Sequence, residues 1–142
     1  MAIPALVDGR LPPGPHPCTW EELEERFGAG HRRQELIIEL RAFVQTAEEC
    51  GFAGLAIGGS FPTDKPEPGD LDLLFITPEN LDKGSLSIEC AQLLVDNTRF
   101  RERTGHDALN CPDDQETIAA LVSGLGYDWK SGKDRGMLLV RL

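Results

Sequence analysis

A short apolar run, a Gly-Gly-Ser break and a second apolar run opening on Asp-Leu-Asp constrain this chain more than any other feature. Residues 52–57 are apolar and lead straight into Gly58-Gly59-Ser60. The nine residues that follow, 61–69, hold prolines and a glycine, which have no place in a helix interior, so they predict a loop. Apolar residues return over 70–76. Runs of this length, bounded by turn residues, predict two buried strands joined by a loop.

Helical periodicity surrounds the pair. Thr19 and Glu22 form the two ends of a capping box, opening a short helix that ends near Phe27-Gly28. Over 31–50, Leu36, Ile37, Leu40, Phe43, Val44 and Ala47 recur at helical spacing, and Gly51 supplies the stop. A helix over 87–99, capped by Ser85 or Ser87, and a strand over 106–111 follow. Asp113 or Asp114 caps a further helix with Ile118, Leu121, Val122 and Leu125 on one face and Gly126 at its end; 137–142 is a terminal strand. The expectation is an α+β fold, a small mixed β-sheet flanked by helices, in one domain over residues 1–142. The Pro/Gly-rich stretch 1–17 is expected to be an extended N-terminal arm.

Asp70 and Asp72 alternate along a strand, so both side chains leave one face, roughly 7 Å apart along the backbone. Two carboxylates that close raise each other's pKa unless a positive charge sits between them. Mg²⁺ suits such a place, because it is a hard cation that takes carboxylate oxygen and completes its shell with substrate phosphates. Immediately before, Gly58 and Gly59 let backbone N–H groups approach a phosphate, and Ser60 adds a hydroxyl donor. Thr63 and Lys65 stand in the loop within reach of the distal phosphates of a nucleotide. Neither a Walker-type nor a dinucleotide-binding glycine pattern is present, and no EF-hand loop can be drawn through the Asp-x-Asp.

Gly59-Ser60, nine intervening residues and Asp70-x-Asp72 resemble the Gly-Ser, short spacer, Asp-x-Asp pattern of the polymerase-β nucleotidyltransferase superfamily. The whole chain is also similar to a smaller bacterial group of nucleotidyltransferase-like proteins, through 11–22, 59–72 and 133–142. The resemblance implies a palm-like core, a two-metal Mg²⁺ site, and transfer of a nucleoside monophosphate from an NTP to a hydroxyl of a protein, a tRNA or a small molecule. It implies a third carboxylate from a later strand, with Asp107 the best placed and Asp128 weaker. Asp70, Asp72 and Asp107 are then the catalytic and metal-binding residues, and Gly58, Gly59, Ser60, Thr63 and Lys65 bind the nucleotide. It also implies a bacterial toxin–antitoxin or defence pair, and hence a protein partner. Two departures stand out. Phe61 and Pro62 occupy positions where many relatives carry arginine, which leaves the triphosphate to Lys65, Lys130, Lys133 or Arg135. The chain is also too short for an added helical domain over the base. An alternative follows: a catalytically weak antitoxin or regulatory binding subunit.

A net charge of −10, from 24 acidic and 14 basic residues, opposes holding free DNA through its phosphates and suits a basic protein partner. Arg32, Arg33, Arg99, Arg101 and Arg103 are the local exceptions; the last three are expected at a solvated helix end. His106 is expected at the surface or the edge of the core. The four cysteines, Cys18, Cys50, Cys90 and Cys111, form no C-x-x-C pair and are expected as reduced core residues. No apolar run is long enough for a membrane span and no secretory signal opens the chain, so the expected location is cytoplasmic.

Overall fold

The two apolar runs become adjacent antiparallel strands, and everything else is arranged around them. The computed structural model describes residues 3–82, 84, 86–95, 97–128 and 132–142. In chain order the elements are β1 (Pro15–Cys18), α1 (Trp20–Phe27), α2 (His31–Glu49), β2 (Gly54–Gly59), β3 (Leu71–Thr77), α3 (Ile88–Val95), α4 (Asn97–Thr104), β4 (Asp107–Pro112), α5 (Gln115–Gly126), β5 (Tyr127–Asp128), β6 (Lys133–Asp134) and β7 (Met137–Arg141). Five strands form one mixed sheet in the order β1-β7-β2-β3-β4, while β5 and β6 pair separately. The pairs β2–β3 and β2–β7 are antiparallel; β1–β7 and β3–β4 are parallel.

Side-chain alternation along β3 sorts the core into two layers. Leu71, Leu73 and Phe75 pack with Leu36, Ile37 and Leu40 of α2, and with Leu93 and Phe100 of α3 and α4. Leu74 and Ile76 point the other way, toward Ile118 and Val122 of α5 and Met137 and Leu139 of β7. A sheet buried on both faces requires nearly continuous apolar strands, which β2 is and β3 is between Leu73 and Ile76.

The helix ends follow local chemistry. Thr19 and Glu22 close the capping box, with Glu22 N–H donating to Thr19 Oγ1 at 3.1 Å and Thr19 N–H to Glu22 Oε1 at 3.0 Å. Asp114 caps α5 through Thr117 N–H at 3.0 Å. Ser87 receives Cys90 N–H at 3.2 Å; Ser85, the other expected cap, lies outside the described residues. The helix expected over 87–99 is described as α3 (Ile88–Val95) and α4 (Asn97–Thr104), with residue 96 outside the described residues. The second runs on to Thr104, beyond the buried Phe100.

Two expectations are corrected. The stretch 1–17 is no detached arm. Ile3 and Leu11 are buried in the core, and β1 is an edge strand on β7. Gly14 O accepts from Met137 N–H at 3.1 Å, so even-numbered residues here address β7. Pro15 and Pro17 therefore turn their missing donors to the open edge, where nothing is lost. Val7 to Arg10 forms a tight turn with positive φ at Asp8 and Gly9, and Asp64 N–H donates to Gly9 O at 3.0 Å. Proline kept this segment extended, and an extended segment is what an edge strand needs.

The cysteines are not all reduced. Cys50 at the end of α2 and Cys90 in α3 form a disulfide with Cα atoms 5.6 Å apart; Cys18 and Cys111 remain thiols. Forty residues separate the bonded pair, so only the packing of α3 beside α2 reveals it. Closing a loop of that size stabilises by roughly 4 kcal/mol in the chain-entropy account. Disulfides are rare in reducing compartments, so this one weighs against the cytoplasmic expectation. Among the described residues no helix is long and apolar enough to cross a membrane.

Candidate active site

Register places the acidic residues in one row. Gly58 pairs with Asp72 across β2–β3, and Asp72 pairs with Asp107 across β3–β4. Neighbouring strands lie about 4.8 Å apart, so three adjacent positions on one face stand side by side. One step along, the row is Ala56, Leu74 and the exposed Leu109, and at Ala56 and Leu74 the apolar packing against α5 begins. The polar row thus occupies the end of the α5 face at which the hydrophobic layer stops. Asp70 immediately precedes β3.

Glycine is required at the head of the row. Gly59 has φ of +79°, and a Cβ there would lie 2.8 Å from Asp70 O and 3.5 Å from Asp72 Oδ2. The bare backbone is what lets β2 turn away so close to the carboxylates. At Gly58 a Cβ would instead meet the Met137 side chain at 3.0 Å.

Charge in the row is unbalanced. Burial pushes the half-buried Asp72 carboxyl above its ordinary range. Asp107 and Asp70 push it further, while Arg135 and Arg101 pull it down. Arg101, from α4, puts Nη1 2.6 Å from Asp107 Oδ1 and Nη2 4.0 Å from Asp70 Oδ2. The hydrogen bond to Asp107 raises the guanidinium above its ordinary value. Arg99, Arg101 and Arg103 are all exposed, as expected of a solvated helix end, and Arg101 in addition pairs with Asp107. Its signal was available: Gly105, with φ of +80°, ends α4 just before β4, and so places Arg101 beside Asp107.

The loop 61–69 is braced from beneath. Arg33 is buried and donates to four carbonyls: Phe27 O at 3.2 Å, Phe61 O at 2.6 Å, Thr63 O at 2.7 Å and Lys65 O at 2.7 Å. Its guanidinium carbon stands 5.8 Å and 5.4 Å from the centres of the Phe27 and Phe61 rings. Arg32 takes Pro68 O at 2.9 Å and Gly69 O at 3.2 Å. These two arginines, expected as part of a surface cluster, are the loop's scaffold. A proline-containing loop offers few ladder partners for its carbonyls, and the guanidinium forks fill that need.

Of the expected nucleotide-binding residues, Gly58, Gly59 and Ser60 lie beside the row. Ser60 Oγ accepts from Gly69 N–H at 2.9 Å, which leaves its own proton to donate. Thr63 is corrected: it is buried, donates to Ser60 O at 2.6 Å and accepts from Lys65 N–H at 3.2 Å, so it has no proton left for a phosphate. Lys65 is exposed. Lys130 lies outside the described residues, as do the side chains of Asp128 and Lys133. Arg135 acts on Asp72 across the row.

His106 is buried, not at the surface. Its Nδ1 accepts from Leu71 N–H at 3.0 Å and its Nε2 faces Glu39 Oε2 at 3.1 Å. Acceptance at Nδ1 places the proton on Nε2, toward the carboxylate. The ring thereby fixes the residue that stands between Asp70 and Asp72.

Carboxylate oxygens on one sheet end are the donors a hard divalent cation takes. Among the described residues no three acidic, His or Cys groups close into a ready ligand set, and a guanidinium stands at Asp107 instead.

Asp72→Asn is expected to raise the unfolding temperature at neutral pH by a few degrees. The folded pKa of Asp72 lies above its unfolded one. Stability therefore falls as pH rises between the two values, and the charged residue subtracts from stability at pH 7. The gain of the variant vanishes below about pH 3, where the carboxyl is protonated folded or unfolded. Thermal melts of both proteins across pH 3–8 measure it, and a gain independent of pH would refute the cause given.

Residues 4–140 match a protein family described as a family of unknown function (DUF6932). No curated protein and no solved structure matches the chain.

Proposed function

The chain belongs to that family of unknown function, and from its own residues we propose Mg²⁺-dependent transfer of a nucleoside monophosphate from an NTP to a hydroxyl acceptor. The observation that carries this reading is the row of Gly58, Asp72 and Asp107 beside the Gly59-Ser60 turn. In the reaction the acceptor oxygen attacks the α-phosphorus, the α–β anhydride bond breaks, and pyrophosphate leaves. The backbone around Gly59 and the Ser60 hydroxyl donate to phosphate oxygens. Asp70, Asp72 and Asp107 are the residues that would hold the cation, and Asp107, the more exposed end of the row, would accept the proton of the attacking hydroxyl. When bound, Mg²⁺ neutralises charge on the transferred group and the leaving pyrophosphate. Arg135, whose charge acts on Asp72, and the exposed Lys65 of the loop are the cations that would supply positive charge. The net charge of −10 favours a hydroxyl on a basic protein partner, as in a toxin–antitoxin or defence pair, over a free nucleic acid; a tRNA end or a small molecule is the alternative acceptor.

One observation favours a second reading, a catalytically weak antitoxin or regulatory subunit. Arg101 occupies Asp107 with a short charge-assisted bond, as a site kept for structure would.

The test is incubation with α-labelled NTPs, Mg²⁺ and lysate or a co-purified partner. Wild type is expected to transfer label, and the Asp70→Ala/Asp72→Ala double variant to fall to background. Absence of labelling together with absence of metal-dependent nucleotide binding removes the transfer reading.

A further inference from the structure

The Cys50–Cys90 bond joins two helix ends of opposite polarity. Cys50 is the C-terminal cap of α2, and Cys90 lies in the first turn of α3. Both residues are buried, yet both line a cavity of about 620 Å³ between the end of α2 and the segment 78–90. The core covers the bond from one side, and the cavity is the way in from the other.

The wall of that cavity sets what can approach. Glu49 and Glu89 are the sequence neighbours of the two cysteines, and Asp82 lines the cavity with them. Among the described residues no lysine, arginine or histidine does so. Thiol–disulfide exchange proceeds by attack of a thiolate. A thiol that carries a further negative charge is repelled by these carboxylates, whereas one with an ammonium group is drawn in.

Across the bond from α2, the segment is folded on itself. Leu81 N–H donates to Pro78 O at 3.2 Å, Gly84 N–H to Asp82 Oδ1 at 3.1 Å, and Cys90 N–H to Ser87 Oγ at 3.2 Å. These bonds shape the segment without fastening it to α2. The disulfide does that, together with the apolar packing of Leu81 and Leu86 on the core.

We propose that Cys50–Cys90 is a thiol–disulfide exchange site, entered through this cavity and selective for neutral and cationic thiols over anionic ones. It stands apart from the transfer reading and uses none of its residues. The entering thiolate bonds to Cys50 Sγ, the Cys50–Cys90 bond breaks, and Cys90 Sγ leaves with the electron pair. The order follows from the helix ends, since a thiolate at the start of α3 is favoured by the helix dipole and one at the end of α2 is opposed by it. A second thiolate then attacks the sulfur of the bound group and frees Cys50. Two molecules of thiol are oxidised to their disulfide, and their two protons pass to Cys50 and Cys90. Reduction unfastens the segment 78–90 from α2.

After air oxidation the denatured chain is expected to offer two free thiols, those of Cys18 and Cys111, to a thiol reagent. Reduction of the folded protein is then followed with cysteamine, 2-mercaptoethanol and 2-mercaptoethanesulfonate. Each rate is divided by that of the same thiol on hydroxyethyl disulfide, which removes differences in thiol acidity. At low salt cysteamine is expected to outpace the sulfonate roughly tenfold, with 2-mercaptoethanol between them. At about 1 M salt, where charges act over about 3 Å, the spread falls to within about twofold. Glu49→Gln/Glu89→Gln narrows it at low salt in the same way. Acid quenching, alkylation and peptide mapping are expected to place the first mixed disulfide on Cys50 and the alkyl group on Cys90. The reduced protein and Cys90→Ser are expected to melt roughly 10 °C below the oxidised one.

Four free thiols after oxidation, or a reduction rate that climbs steeply with sub-denaturing urea, overturn the exchange site, because the bond is then absent or reached only by unfolding. Equal normalised rates for the three thiols overturn the charge selection. A first mixed disulfide on Cys90 overturns the order of attack. Each of these results leaves the transfer reading standing.

Discussion

Arg33→Met is expected to lose roughly 3–5 kcal/mol of folding stability, because it orphans four buried or part-buried carbonyl acceptors at once. Phe27, Phe61, Thr63 and Lys65 present their carbonyls to this one guanidinium. An unpaired buried acceptor costs about 1–3 kcal/mol, and the loop relaxes toward water at some of them, so the total falls short of four full penalties. Burial pulls the guanidinium below its ordinary pKa, and the nearby charge of Asp64 pulls it back. A chain of this length is stable by roughly 7–20 kcal/mol, so the loss takes a large share. Arg33→Lys is expected to rescue little, since an ammonium cannot span a fork of four carbonyls lying between two rings. Urea unfolding of the three proteins measures the effect. An unfolding free energy for Arg33→Met within about 1 kcal/mol of wild type would show that the loop is supported elsewhere.

The second large effect is local to the proposed phosphate cradle. Gly59→Val is expected to cost roughly 2–4 kcal/mol and, on the transfer reading proposed above, to abolish divalent-cation binding. Valine at φ of +79° is strained whatever surrounds it, and its Cβ would press on Asp70 O at 2.8 Å. Relief comes only by moving the start of β3, and with it Asp70 and Asp72. Gly58→Ala is the matched control one residue earlier. Its Cβ meets the Met137 side chain, which can bend away, so the cost is markedly smaller and the row keeps its place. Equal losses of stability and of Mn²⁺ binding in the two variants would contradict this account.

What was legible in the sequence was local. Gly, Pro and alternating apolar residues fix where β2 ends, where the loop runs and where β3 begins, and those cues act within a few residues. The capping box at Thr19 and the cap at Asp114 are of the same kind. Asp107 was placed by resemblance, and the register of β3 with β4 sets it opposite Asp72. The features that were not legible depend on which elements become neighbours. Cys50 and Cys90 carry no spacing signal, since α3 must first lie beside α2. Arg33 reads as a surface charge until a proline-containing loop folds over it. The thiol of Cys18, pushed up to about 11 by burial and by Glu22, shows the same dependence on surroundings. The segment 1–17 reads as a tail until β7 offers it an edge.

That last pairing also orders events in time. β7 lies between β1 and β2 in the sheet, yet it is made after both and after β3 and β4. While the nascent chain is being extended, β1 has no neighbour and β2 carries one uncovered edge. The buried side chains of Met137, Leu138, Leu139 and Val140 are missing from both layers until then. Neither layer can close before Met137–Arg141 is present, because β7 contributes buried side chains to both. The strand made late is the one the whole sheet waits for.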